Sequence, residues 1–163
     1  GVIVNVIRSI PFIILLIMTQ PVAKAMVGTK LGNEAFIVYL VIAATPFVAR
    51  MIESSLKEVD GGVIEAAQAM GSSNLQIIIK VLIPEAKPSL LVGSAIAITT
   101  ILGYTPMTYL VSGSGLGQLA IQYGLYRFNK PMMYMSSLFL IVLVQIMQEG
   151  ISAVAKRTDK RIR

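Results

Sequence analysis

Apolar residues in this chain come in runs longer than the core of a small soluble domain uses, and the breaks between them set the predicted elements. The first run, Val2 to Val27, is broken by Arg8, Pro11 and Pro21. At ~1.5 Å per residue it can cross the ~30 Å hydrocarbon layer, and its prolines should bend it. A turn at Thr29 to Glu34 leads to a second run, Ala35 to Met51. That run is short for a span, and it suffices if Arg50 snorkels and the helix continues towards Lys57. The third run, Pro88 to Val111, is interrupted by Pro106, and a stretch rich in glycine, tyrosine and polar residues follows from Ser112 to Pro131. The fourth run, Met132 to Ala155, ends in the basic tail Lys156 to Arg161. The pattern predicts an all-α integral membrane protein with four spanning helices and no β-strand or internal repeat.

Between the second and third runs lies Glu65 to Pro84, too polar to span and too patterned for an idle loop. Two short helices with a sharp bend are expected. Asp60 is placed to cap the first, and Glu65 falls near its first turn, where a carboxylate suits the positive end of the helix dipole. Ala66, Ala67 and Ala69 favour helix with little bulk. Gly71 sits where a helix stops, Ser73 with Gln76 makes a capping box that restarts it, and Pro84 should end or kink the second helix. Three readings share this outline: a DNA-binding helix-turn-helix, an amphipathic hairpin on the bilayer, and a docking element gripped by a soluble partner. The second helix carries one charge, Lys80, among Leu75, Ile77, Ile78 and Ile79, which counts against DNA.

Composition sharpens the picture. The chain is 55% hydrophobic and 13% charged, against about 25% charged in soluble domains. It reads as one membrane domain over residues 1–163, with 61–84 as a loop within it. Gly1 begins inside an apolar run without an initiator Met, so an N-terminal part is expected to precede it. Cysteine and histidine are absent, which removes disulfides, thiol nucleophiles, histidine bases and the usual zinc sites. The net charge of +6 has a simpler source than nucleic acid, because most basic residues border apolar runs. With the 61–84 loop and the C-terminus on one side, that side carries nine of the 14 Lys and Arg, against Lys24, Lys30, Arg127 and Lys130 on the other. Arg8, inside the first run, is left out of the count. The bias puts the loop in the cytoplasm.

The loop resembles a cytoplasmic signature of the permease subunits of ATP-driven importers: Glu-Ala-Ala, three residues, Gly, nine residues, then Ile, any residue, Leu, Pro. Here stand Glu65-Ala66-Ala67, Gly71 and Val81-Leu82-Ile83-Pro84, with conservative swaps at the aliphatic positions. The resemblance covers nearly the whole chain and is nearest to methionine importer permeases. Arg8 to Leu15, Gly103-Tyr104 with Met107, Gly115-Leu116-Gly117 and Tyr123-Gly124 carry it. It implies five spanning helices, the first lying outside this chain, and a coupling-helix pair seated in an ATPase cleft through Glu65, Ala66, Ala67, Gly71 and Pro84. It also implies two identical permease chains, two ATPase subunits that bind ATP and Mg, an extracytoplasmic methionine-binding protein, and a bacterial inner-membrane location. This chain itself would be non-catalytic. Thr105-Pro106, Thr108 to Leu110 and Ser112 to Ser114 depart from the small residues and glycines of the family, which leaves the substrate open. A permease for polar amino acids or another small nutrient is the rival, and a non-transporting scaffold that docks an ATPase is the second.

The remaining chemistry is sparse. Gly28-Thr29-Lys30 lacks the earlier glycine of a phosphate-binding loop, and the glycines from Gly113 to Gly117 come after an apolar run rather than a strand. No cofactor or metal site is expected in the chain. Tyr104 and Met107 share a helix face, where a hydroxyl and a thioether would suit an amino-acid pathway; helix packing explains the pair equally well. Glu149 lies seven positions before Lys156, roughly 10 Å deep along its helix. Such a charge needs a partner or the headgroup layer, and Arg8 is the candidate partner.

Overall fold

The computed structural model describes the backbone of residues 2–158 and the side chains of residues 4–155. Among these residues every regular element is helical, with no strand. The first run forms three pieces, α1 (Val2–Ser9), α2 (Phe12–Met18) and α3 (Gln20–Val27). Pro11 stands at the N-cap of α2 and Pro21 in the first turn of α3. Both positions suit a residue without an N–H, so each proline starts a new helix rather than bending one. The expected count of four spanning helices is therefore corrected. Three helical stretches among the described residues are long and apolar enough to cross a membrane: Gly32–Lys57, Asn74–Val111 and Lys130–Ala155.

The first of these is α4 (Gly32–Lys57), which extends past Arg50 as the second run required. Next come α5 (Gly61–Ala69) and α6 (Asn74–Ile77), a widened π-type turn at Ile78–Leu82, and α7 (Ile83–Leu102). A 3₁₀ segment at Thr105–Val111 leads to α8 (Leu116–Ile121), a second π-type turn at Gln122–Tyr126, and α9 (Lys130–Thr158). α7 packs between α4 and α9, and α8 packs on α9 and the 3₁₀ segment. Close approach needs missing side chains. A Cβ on Gly93 would strike Met51 of α4, and one on Gly117 would come within 2.5 Å of the Pro106 backbone.

The core sits where α2 and α3 fold onto the first half of α4. Phe12, Leu16, Ala23, Ala35, Phe36, Val38, Tyr39 and Val111 form one buried cluster. The Phe12 ring meets Phe36 edge-on at 6.0 Å and stacks on Tyr104 at 4.5 Å. The Tyr39 hydroxyl donates to the Lys30 carbonyl at 3.0 Å, so its polar end is satisfied. By contrast α9 turns Leu138, Phe139, Ile141 and Ile146 outward, each more than half exposed. Such a face is stable only against hydrocarbon or another chain.

Candidate functional site

The α5–α6 pair is built by local rules. Asp60 caps α5, its carboxylate accepting from the Gly62 N–H at 2.7 Å. At the other end Gly71 takes φ +77°, its N–H reaching the Gln68 carbonyl at 2.9 Å while the Ser72 N–H reaches Ala67 at 3.1 Å. Those two bonds make a Schellman stop. The Ser73 hydroxyl then accepts from Gln76 N–H at 3.4 Å, and the Gln76 side chain accepts from Ser73 N–H at 2.9 Å. Both halves of the capping box are thus present. Pro84 departs from expectation. The helix neither ends nor breaks there: Ile83 N–H reaches back five residues to the Ile78 carbonyl, and Pro84 falls in the first turn of α7. The widened turn delivers the proline to a position that needs no N–H.

Only Ala67 and Ile77 of this pair are buried by the rest of the chain. Glu65, Ala66, Ala69, Gly71 and Gln76 are exposed, and Met70 and Leu75 are 80% and 67% accessible. Glu65 makes no ion pair among the described residues. The uncovered surface sets Met70 and Leu75 among the polar side chains of Gln68, Asn74 and Gln76, with one carboxylate at Glu65. At its root, the Ser89 hydroxyl joins Ser55 at 3.1 Å and the Glu58 carboxylate at 2.6 Å, fastening the start of α7 to the end of α4. Sequence reasoning missed this link, because residues more than thirty positions apart leave no spacing signal. A second missed link is a two-way clamp: Ser114 N–H donates to the Asn33 side chain at 2.7 Å, and the Asn33 amide donates to the Ser114 hydroxyl at 2.9 Å.

Tyr104 and Met107 both pack half-buried against the core cluster. The Met107 N–H donates to the Tyr104 carbonyl at 2.9 Å. They part at the next level: Tyr104 lines a cavity of about 220 Å³ with Arg8, Phe12, Phe47 and Ile101, and Met107 does not. The Arg8–Glu149 pair is not formed. Neither residue makes an ion pair among the described residues, and α9 packs on α7 and α8 rather than on α1. Depth along two helices matched them, but depth says nothing about which helices are neighbours. Among the described residues Glu53 pairs with Arg50 at 2.6 Å and with Lys57 at 2.7 Å, and Arg50 also reaches the Asn5 side chain at 3.4 Å. No group of three or more acidic side chains converges among the described residues.

Comparison with known proteins places this architecture. The family described as binding-protein-dependent transport system inner membrane component matches residues 1–161. The chain belongs to that family. Among family members of similar sequence is the "Probable D-methionine transport system permease protein MetI" of Vibrio cholerae, 48% identical over 99% of this chain and 72% of the relative. The "Methionine import system permease protein MetP" of Bacillus subtilis is 40% identical over 98% of this chain and 72% of the relative. A solved structure described as inward-facing conformations of the MetNI methionine ABC transporter superposes with a TM-score of 0.93 at 42% identity, covering 98% of this chain and 74% of that one. A transport permease of the inner membrane is therefore the class to which the fold belongs.

Proposed function

We propose that this chain is the membrane permease of an ATP-driven methionine importer. The observation that carries the reading is identity of 40–48% along almost the whole chain to permeases named for methionine transport. That reading brings its partners with it: a second copy of the chain, two ATPase subunits that bind ATP and Mg, and an extracytoplasmic methionine-binding protein. The chain contributes no catalysis. Its exposed α5–α6 pair is the docking element, seated in a cleft of the ATPase through Glu65, Ala66, Ala67 and Gly71, with Pro84 setting the exit into α7. The nine-to-four bias of basic residues supports a cytoplasmic position for the pair and the C-terminus.

The mechanism is mechanical. When the ATPase pair closes, its clefts move and carry α5–α6 with them. The Ser55–Glu58–Ser89 links make the end of α4 and the start of α7 move together. The membrane helices then rock between inward-open and outward-open states. Nucleotide and substrate are coupled to the extent that docking differs between those states. Reconstitution tests the reading directly. Proteoliposomes holding the complete importer, with ATP on the ATPase side, should accumulate radiolabelled methionine from its binding protein. Accumulation of a polar amino acid and not methionine would overturn the substrate; ATPase docking without uptake of either would overturn the importer.

A further inference from the structure

Arg8 is the unexplained charge of this fold. It is exposed near the end of the short helix α1, in an apolar run where a cation facing hydrocarbon costs on the order of 3 kcal/mol or more and normally has a partner. Arg50 is paired with Glu53, but Arg8 makes no hydrogen bond or ion pair among the described residues. It lines the 220 Å³ cavity at the break between α1 and α2, where Pro11 supplies no N–H. The opposite wall comes from the middle of α4, at Ala43 and Phe47, and from Thr100, Ile101 and Tyr104. The hydroxyl of Thr100 is spent on the Ile96 carbonyl at 2.8 Å. The Tyr104 hydroxyl has no partner among the described residues, whereas that of Tyr39 is bonded. The cavity thus offers one cation and one free hydroxyl beside the apolar side chains of Phe12, Ala43 and Phe47, and polar and apolar atoms share its surface about equally. Its volume lies below the ~300–1,000 Å³ of drug-sized sites and suits a single small molecule.

We infer that this cavity is an amino-acid site on the transport path: the Arg8 guanidinium takes the α-carboxylate, and Phe12, Ala43 and Phe47 take the apolar side chain. The inference rests on the importer reading. A guanidinium matches a carboxylate with two parallel hydrogen bonds, and such charge-assisted bonds are stronger than neutral ones. Irregular backbone at membrane depth is tolerated where it borders a cavity, which accounts for a helix break at this place.

The test uses the complete importer in proteoliposomes and a diazirine analogue of methionine as photolabel. Label is expected on peptides containing residues 7–15 and 100–104. Excess methionine and 4-(methylthio)butanoate should compete, while methioninamide and 3-(methylthio)propylamine should compete about tenfold less well, since a hydrogen-bonded charge carries that much. Arg8→Gln should lower labelling at these peptides about tenfold or more, and Arg8→Lys should keep part of it. If Arg8→Gln fails to assemble, the competitor series on the unaltered protein decides alone. Equal competition by the amide, or full labelling of Arg8→Gln, overturns the site, and so does labelling elsewhere while methionine uptake proceeds; these results leave the importer standing. Absence of methionine uptake by the unaltered complex overturns both.

Discussion

Gly71 concentrates the requirement of the proposed docking element in one backbone angle. At φ +77° it closes the Schellman stop, and nothing lies within 4 Å of where its Cβ would be. A substitution there is opposed by conformation alone, not by crowding. An L-residue in the left-handed region costs about 1–2 kcal/mol, more for a β-branched side chain and less for asparagine. Gly71→Val should therefore disturb the angle between α5 and α6 while leaving the membrane helices intact. The expected outcome is uptake reduced severalfold or more with permease–ATPase assembly retained, and near-normal uptake for Gly71→Asn. Uptake by Gly71→Val at the unaltered rate would show that the bend is not part of the coupling joint. This residue was legible in the sequence, as were Asp60, Ser73 and Gln76, because caps and stops are decided within four residues by local hydrogen bonds.

At the scale of elements, legibility falls with the distance over which a contact is decided. The runs of apolar residues predicted α4 and α9 with useful accuracy. The prolines were harder. Pro11 and Pro21 begin helices, Pro84 comes just after a widened turn, and Pro46 and Pro88 lie inside α4 and α7. Composition marks each as an interruption, but neighbouring backbone decides whether a break, a π-type turn or nothing results. Helix neighbours were not readable at all, which is why Arg8 and Glu149 matched in depth and still did not meet. The α4–α7 crossing illustrates what spacing cannot reveal. Gly93 is buried there because Met51 occupies the space a side chain would need. Gly93→Leu should overpack the crossing and destabilise the protein by about 1–3 kcal/mol, read as a lowered thermal midpoint in detergent. Adding Met51→Ala should recover part of the loss, since it vacates the volume the leucine needs. Additive losses in the double variant would mean that the two residues do not share a contact.

For the whole molecule the decisive quantity is orientation, because the docking reading requires α5–α6 and Lys30 to face opposite sides of the membrane. Two independent features set that expectation. The basic residues divide nine to four in favour of the α5–α6 side. In addition α4 runs as one continuous helix of 26 residues from Gly32 to Lys57, about 39 Å at ~1.5 Å per residue. A helix of that length and apolar character carries the chain from one aqueous face to the other, so its ends cannot lie together. This sequence contains no cysteine, so single cysteines report position without interference. Gln68 and Lys30 are both exposed, and neither side chain holds a hydrogen bond that the substitution would remove. Gln68→Cys should react with a membrane-impermeant maleimide in inverted vesicles and stay unlabelled in right-side-out ones, and Lys30→Cys should show the reverse. Adding the ATPase subunits should then protect Gln68→Cys and leave Lys30→Cys reactive, because the proposed docking surface, with Met70 and Leu75 exposed, lies on α5–α6. Labelling of both cysteines from the same side would remove the membrane crossing on which the lever depends, and with it any route from an ATPase to the helices beyond.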